Sequence, residues 1–316
     1  MDNFNSIVHI VKEAMPLVQS GIPALVGGFV TAMFLRGNTN RTEFEKIKVG
    51  RIKEALDDLV DSRELTLTEL VKCKNMLEIA KLADTEYAKQ SHEDETRNKE
   101  FDFDWFIRFF EAAGNISNEE MQSLWSKVLS NEVASPGKFT LRTLEVLRNM
   151  SVSEARLFEK IGKMVLREPL TASTVIFAPH TVGESNFKTR FGLNFNDFIK
   201  LFDCGILNPQ SISTVTIDCG FCNDSLLLKF HNKKGKDDIF KYHCYTLTQA
   251  ANQLLSIING FSSNEYIMEL GKSLKSIYSS TLEINIFKII NWNVEGIVVD
   301  DEIDLLDETS SQETDP

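Results

Sequence analysis

Cys219-Gly220-Phe221-Cys222 is the only C-x-x-C in the chain, and two thiolates at that spacing supply half of a tetrahedral zinc site or all of a dithiol redox centre. Zinc needs a second pair of ligands. Cys204, His231, His243 and Cys244 are the candidates, but they are scattered and none repeats the C-x-x-C spacing. A redox centre wants a helix directly behind its cysteines, and the residues after Cys222 do not read as one. The expectation is a loop-and-strand cysteine pair without metal, and no cofactor. Nucleophilic catalysis is no better supplied. There are five histidines, of which His9, His92 and His180 stand in unrelated contexts. The sequence holds no Walker A loop, no H-E-x-x-H and no nucleophile elbow. Gly27-Gly28 alone makes no phosphate loop, and the acid pairs Asp57-Asp58, Asp237-Asp238 and Asp300-Asp301 read as solvated surface. The chain is not expected to be an enzyme.

The cations offer a different chemistry. Lys188, Arg190 and Lys200 stand on or near predicted helices, and Lys229, Lys233, Lys234 and Lys236 lie on or beside a predicted hairpin. Lysines on such a hairpin can run along a phosphate backbone while a helix enters the major groove. The simpler reading is a hairpin tip that is polar because it is exposed. A formal net charge of -12 argues against a nonspecific nucleic-acid coat but leaves room for a local basic face.

The elements that would position these residues can be read from periodicity and caps. With 316 residues, 42% hydrophobic and 25% charged, the chain is long enough for two cores. Phe4 to Val18 has the spacing of an amphipathic helix. Gly21 to Leu35 is apolar but short of the roughly 20 residues that span a bilayer as a helix, and it holds Pro23, Gly27 and Gly28. A buried or interfacial hairpin is expected there. From Thr39 to about Gln90 a polar run with regularly spaced Ile and Leu predicts long helices, and His92 to Lys99 a linker or solvent-bridging helix. Phe101 to Gly114, with Trp105, Phe106, Phe109 and Phe110 at helical spacing, predicts a core nucleus.

Ser117 to Glu120 reads as a capping box opening a helix over about 118–133, and Ser135-Pro136-Gly137 ends it. A further helix is expected over about 140–149, and another from a second capping box, Ser151 to Glu154, to about Arg167. Beyond Pro169 the pattern predicts a helix over about 196–204 closed by Gly205. Strands at 226–230 and 239–246, joined as a hairpin, should follow, then a helix from Thr248, a helix over 265–277 and a strand over 282–290. The acidic tail from Asp300 is expected to be disordered.

The segment from Ser123 to Phe158 carries a resemblance. Leu124-Trp125, Pro136-Gly137, Phe139-Thr140-Leu141-Arg142-Thr143-Leu144 and Ser151 with Glu154-Ala155 resemble a bacterial family of unknown function close to the alpha-type abortive-infection proteins. The match runs over roughly residues 20–260. It departs mildly at Thr140, where Ser is common, and at Glu154, where Asp is. A helix ending in Gly205-Ile206-Leu207, a hairpin, and then Tyr245-Thr246-Leu247-Thr248 also looks like the closing half of a winged helix-turn-helix. With the chain length, this is similar to the helix-turn-helix accessory proteins encoded beside retron reverse transcriptases.

The resemblance implies antiphage defence: a toxic or growth-arresting effector that contacts nucleic acid, whether DNA or a structured RNA/DNA hybrid, with a reverse transcriptase complex as a further partner. The alternatives are a membrane-perturbing effector acting through its N-terminal apolar segment, and a non-toxic transcriptional regulator. The expected architecture is mainly α with a small α+β part. It divides into an N-terminal helical region (1–99), a helical bundle with the signature (100–168), a winged-helix-like module (169–299) and the tail (300–316). Cysteine usage and the lack of a leader pattern predict a cytoplasmic protein.

Overall fold

The computed structural model describes residues 67–89, 102–169, 172–216, 218–233, 240–258, 263–293 and 296–303. The predicted N-terminal helix, the 21–35 segment and the 92–99 linker lie outside them. The chain divides into two compact units, 1–148 and 149–316.

In the first unit the described residues form α1 (Leu67–Lys89), α2 (Phe103–Ala113), α3 (Glu119–Ala134) and α4 (Leu141–Asn149), whose last residue opens the second unit. α1 packs chiefly along α3, burying Ile79, Ala80 and Ala83 with Trp125, Val128 and Leu129. Trp105 stacks on Phe109 with centroids 5.2 Å apart, and Phe109 tilts against Trp125 at 5.2 Å. The aromatic run is therefore the core nucleus its spacing predicts, because i, i+4 aromatics share a helix face. Asn75 Nδ2 donates to the Gly114 carbonyl at 2.9 Å and ties α1 to the end of α2. The capping residue of α3 is Asn118, whose side chain accepts from Met121 N at 3.1 Å. Ser117, one residue earlier, does not take that role.

The second unit departs from expectation. It is an α+β fold, with α5 (Val152–Gly162), α6 (Glu184–Phe191), α7 (Phe195–Asp203), α8 (Gln249–Leu255) and α9 (Asn264–Tyr278) around an antiparallel sheet that has eight strands among the described residues. Its strands are β1 (Leu166–Glu168), β2 (Ser173–Phe177), β3 (Leu207–Thr216), β4 (Asp218–Cys222), β5 (Leu226–Asn232), β6 (Phe240–Leu247), β7 (Leu282–Asn293) and β8 (Gly296–Ile303). They lie in the order β3-β6-β2-β1-β4-β5-β7-β8.

The expectation of a mainly α protein with a winged-helix-like module is thus wrong. Both strands of the supposed wing exist, as β5 and β6, but β2, β1 and β4 lie between them. β5 pairs with β4 and β7, and β6 with β2 and β3. Adjacent strands in a sequence need not be neighbours in a sheet, and partner choice is decided by burial that local pattern does not reveal. Asp300 to Ile303, expected in the disordered tail, belong to β8; the rest of the tail lies outside the described residues.

One sheet face holds Phe177, Phe221, Phe230 and Tyr242 in mutual ring contact at 5.0 to 6.3 Å. α9 lies against β7 and β5 and is set close by Gly271, where a Cβ would come within 2.8 Å of Ile286 Cδ1. Tyr245 is an odd number of residues from Tyr242 and so faces the reverse side. There Phe198 and Phe202 of α7 meet it at 5.5 and 4.8 Å. α7 ends as predicted. Gly205 takes φ 76°, Ile206 N donates to Leu201 O at 2.9 Å, and Thr248 Oγ1 donates to Gly205 O at 2.7 Å while accepting from Ala251 N to cap α8. The local motif that suggested a winged helix is real; the arrangement of strands around it is different.

Candidate functional site

The signature segment builds α3, the following loop, α4 and the start of α5. Trp125, Phe139, Thr143 and Leu144 are buried. Glu132, at 1% exposure, holds the loop that contains Pro136-Gly137. Its Oε1 accepts from Gly137 N at 2.6 Å and its Oε2 from Phe139 N at 3.0 Å. Burial pushes the Glu132 carboxyl above its ordinary range, against the lowering pull of the Gly137, Phe139 and Lys138 amides. The Lys138 ammonium, itself lowered by burial, donates to Asn131 Oδ1 at 2.6 Å. Thr140 Oγ1 accepts from Thr143 N at 3.3 Å at the start of α4. Ser151 and Glu154 form the predicted capping box of α5. Glu132 escaped the sequence reading because nothing in its context separates a buried acid from a solvated helical one.

Arg142 differs from these neighbours. It is exposed, and among the described residues no hydrogen bond or ion pair holds its guanidinium. It stands in the first turn of α4, where the helix dipole disfavours a cation. No described contact accounts for its place, and the positive end of a helix and a guanidinium together suit an anion. On the same helix, Glu145 and Arg148 line a cleft of about 260 Å³ with Arg108 and Glu111 of α2. Arg148 is tied to Glu145 at 3.2 Å, whereas Arg108 is exposed.

The lysines and arginine that the sequence singled out are not brought together as a wing. Arg190 at the end of α6 pairs with Glu269 of α9 at 2.7 Å. Lys200 lies 3.6 Å from Asp197 on its own helix. The Lys233 ammonium donates to Ser279 O at 2.9 Å, at the C-terminal end of α9 where a cation is favoured. Lys188 is exposed on α6 and Lys229 on β5; Lys234 and Lys236 lie outside the described residues.

Cys219 and Cys222 cannot form one half-site. Three residues apart on β4, they face opposite sides of the sheet. Cys219 sits across from Phe230, and Cys222 Sγ donates to Arg167 O at 3.5 Å. Burial pushes the Cys222 and Cys204 thiols up to about 11 and Cys244 to about 12, so all three stay protonated and weakly nucleophilic at neutral pH. The fold also joins two residues that the sequence left apart: the His180 ring meets His243 with centroids 4.7 Å apart. The turn Pro179–Thr181 brings them together, through hydrogen bonds of Thr181 Oγ1 to the His243 carbonyl (3.0 Å) and amide (3.2 Å). Among the described residues no group of three or more His, Cys, Asp or Glu could hold a metal ion. No helix among them is long and apolar enough to cross a membrane.

No curated protein and no solved structure matches the chain. Residues 62–271 match the family described as "Protein of unknown function (DUF2806)", a span that takes in α1, the whole signature segment and the sheet through β6. That is well over half of the chain, and the protein belongs to this family.

Proposed function

We propose that the protein is the effector of a bacterial antiviral defence system, and that it arrests the infected cell by binding a nucleic acid rather than by turning over a substrate. The defence context is supported by the resemblance of the 123–158 segment to the relatives of abortive-infection proteins. The binding reading rests on Arg142: an exposed guanidinium in a signature whose other residues hold helices and a loop, set at a helix start that favours an anion. The phosphate contact sits on the helical unit, with Arg142 in the first turn of α4 and Arg108 at the nearby cleft. The winged module expected in the second unit has no part in it.

The test is plaque formation on a bacterial host that carries the gene with its neighbouring genes, together with binding of the purified chain to duplex DNA, single-stranded DNA and structured RNA over a range of salt. Wild type should protect, and it should bind one of these with an affinity that falls as salt rises. Arg142→Glu should keep its melting temperature, weaken binding about tenfold or more, flatten the salt slope by roughly 1 and remove protection. A folded Arg142→Glu protein that still binds and protects would overturn the assignment of the contact. A wild type that binds none of the three would overturn nucleic acid as the partner.

A further inference from the structure

The backbone around His180 and His243 is held by more hydrogen bonds than a three-residue turn needs. The turn Pro179–Thr181 follows β2 and folds back on β6. Ala178 N donates to the His243 carbonyl at 2.9 Å. Thr181 Oγ1 donates to that same carbonyl at 3.0 Å and lies 3.2 Å from the His243 amide, from which it accepts. Tyr278 Oη, at the end of α9, donates to the Thr181 carbonyl at 2.8 Å. Pro179 adds a fixed φ at the first position of the turn. Thr181 is buried, whereas His180 is exposed and His243 half-buried.

This scaffold sets two imidazoles side by side, with ring centroids 4.7 Å apart and planes inclined at 56°. Two imidazoles that share one zinc ion, each nitrogen about 2.0–2.1 Å from the metal, stand with their centroids about 5 Å apart. The pair is therefore already at ligand spacing. The broad χ2 torsion of histidine lets each ring turn a nitrogen toward a common point without moving the backbone. Imidazole suits zinc, nickel and copper(II), and not magnesium or calcium. Cys244, the next residue along β6, is buried on the reverse face of the sheet and stays out of the donor set. We propose that His180 and His243 form a two-histidine site for one divalent transition-metal ion of the zinc class, with water in the remaining positions. The exposed His180 ring gives the ion its way in, and the bound ion ties the 179–181 turn to β6. This inference does not depend on the defence reading.

The test is calorimetric titration of the full chain with zinc chloride alone, beside His180→Ala and His243→Ala. Wild type should bind an equivalent of zinc that each variant loses or holds at least about tenfold more weakly, with an unchanged circular dichroism spectrum. The difference between wild type and variant isolates this pair from the other histidines and the cysteines. Because the ligand is neutral imidazole, that equivalent should be lost below about pH 6. Copper(II) supplies a readout that packing alone would not move: its electron paramagnetic resonance spectrum should show two coupled nitrogens in wild type and one in His180→Ala. His180 is exposed, so its variant decides the matter even where His243→Ala fails to fold. No zinc bound at about 100 μM, a folded His180→Ala that keeps the wild-type stoichiometry and affinity, or a copper spectrum unchanged in that variant would each overturn the proposal.

Discussion

Each unit of this protein holds a turn together with one buried polar side chain, and the two chose different chemistry. In the helical unit Glu132 accepts from the amides of Gly137 and Phe139. In the sheet unit Asn223, at 2% exposure, closes the β4–β5 turn. Its Oδ1 accepts from Ser225 N at 2.8 Å and Leu226 N at 2.6 Å, and its Nδ2 donates to Asn264 Oδ1 at 2.8 Å at the start of α9. The carboxylate offers two oxygens to amides spaced along a longer loop, at the cost of burying an ionisable group. The amide gathers both donors on one oxygen and keeps a donor of its own for a neighbouring helix. Where a loop needs acceptors only, a charge serves; where a turn must also be tied to another element, an amide does both tasks without titrating.

Removing the carboxylate should have the larger effect. Glu132→Ala leaves the buried Phe139 amide without a partner and should destabilise the protein by about 3 kcal/mol in urea denaturation. An effect below about 1 kcal/mol would mean that water replaces the clamp. Asn223→Ala loses two turn bonds and the tie to α9, and should cost about 2 kcal/mol by the same measurement. A loss as large as that of Glu132→Ala would erase the distinction between them.

The pH dependence separates the two more sharply than the magnitudes do. Because burial raises the native Glu132 carboxyl above its unfolded range, the native state keeps a proton in a window where the unfolded chain has already released it. This residue's contribution to stability therefore falls as pH rises through that window. As pH rises upward from the ordinary carboxylate range, the gap between wild type and Glu132→Ala should narrow, and the gap to Asn223→Ala should stay flat. Parallel curves for both variants would refute the upward shift of the Glu132 carboxyl in the native state. The smallest effect belongs to an exposed cap. Ser151→Ala loses the bond from Glu154 N at 3.3 Å and should cost about 1 kcal/mol, with no dependence on the state of either turn.

Helix positions were readable wherever cap chemistry and apolar period agreed. The predicted 140–149, 196–204 and 265–277 helices are α4, α7 and α9 within a residue or two, because Gly205 and the i, i+4 apolar spacing act within a turn or two of chain; the helix that Ser151 opens stops at Gly162, short of the expected Arg167, which lies in β1. The single-residue error at the start of α3 is of the same kind: Ser117 and Asn118 both carry a capping oxygen, and only backbone geometry chooses between them. Strand segments at 226–230, 239–246 and 282–290 were legible too. β2 and β3 were missed although Ser-Thr-Val-Ile-Phe at 173–177 and Ser-Thr-Val-Thr at 213–216 are rich in β-branched residues. β4, with Gly220 at its centre, gave little signal.

The candidate site divides the same way. Arg142 was visible as a signature residue, but its isolation shows only against the burial of Trp125, Phe139, Thr143 and Leu144 around it. The basic set would converge only on a β5–β6 hairpin, and β2, β1 and β4 lie between those strands. By itself the sequence determined helix ends, caps and the aromatic nucleus of the first unit, since these follow from interactions over three or four residues. Only the tertiary structure decided which strands pair, which face each cysteine takes and which charges stay free. Those outcomes depend on contacts between segments tens of residues apart, as with Arg190 and Glu269 or Lys233 and Ser279, and no local pattern encodes them.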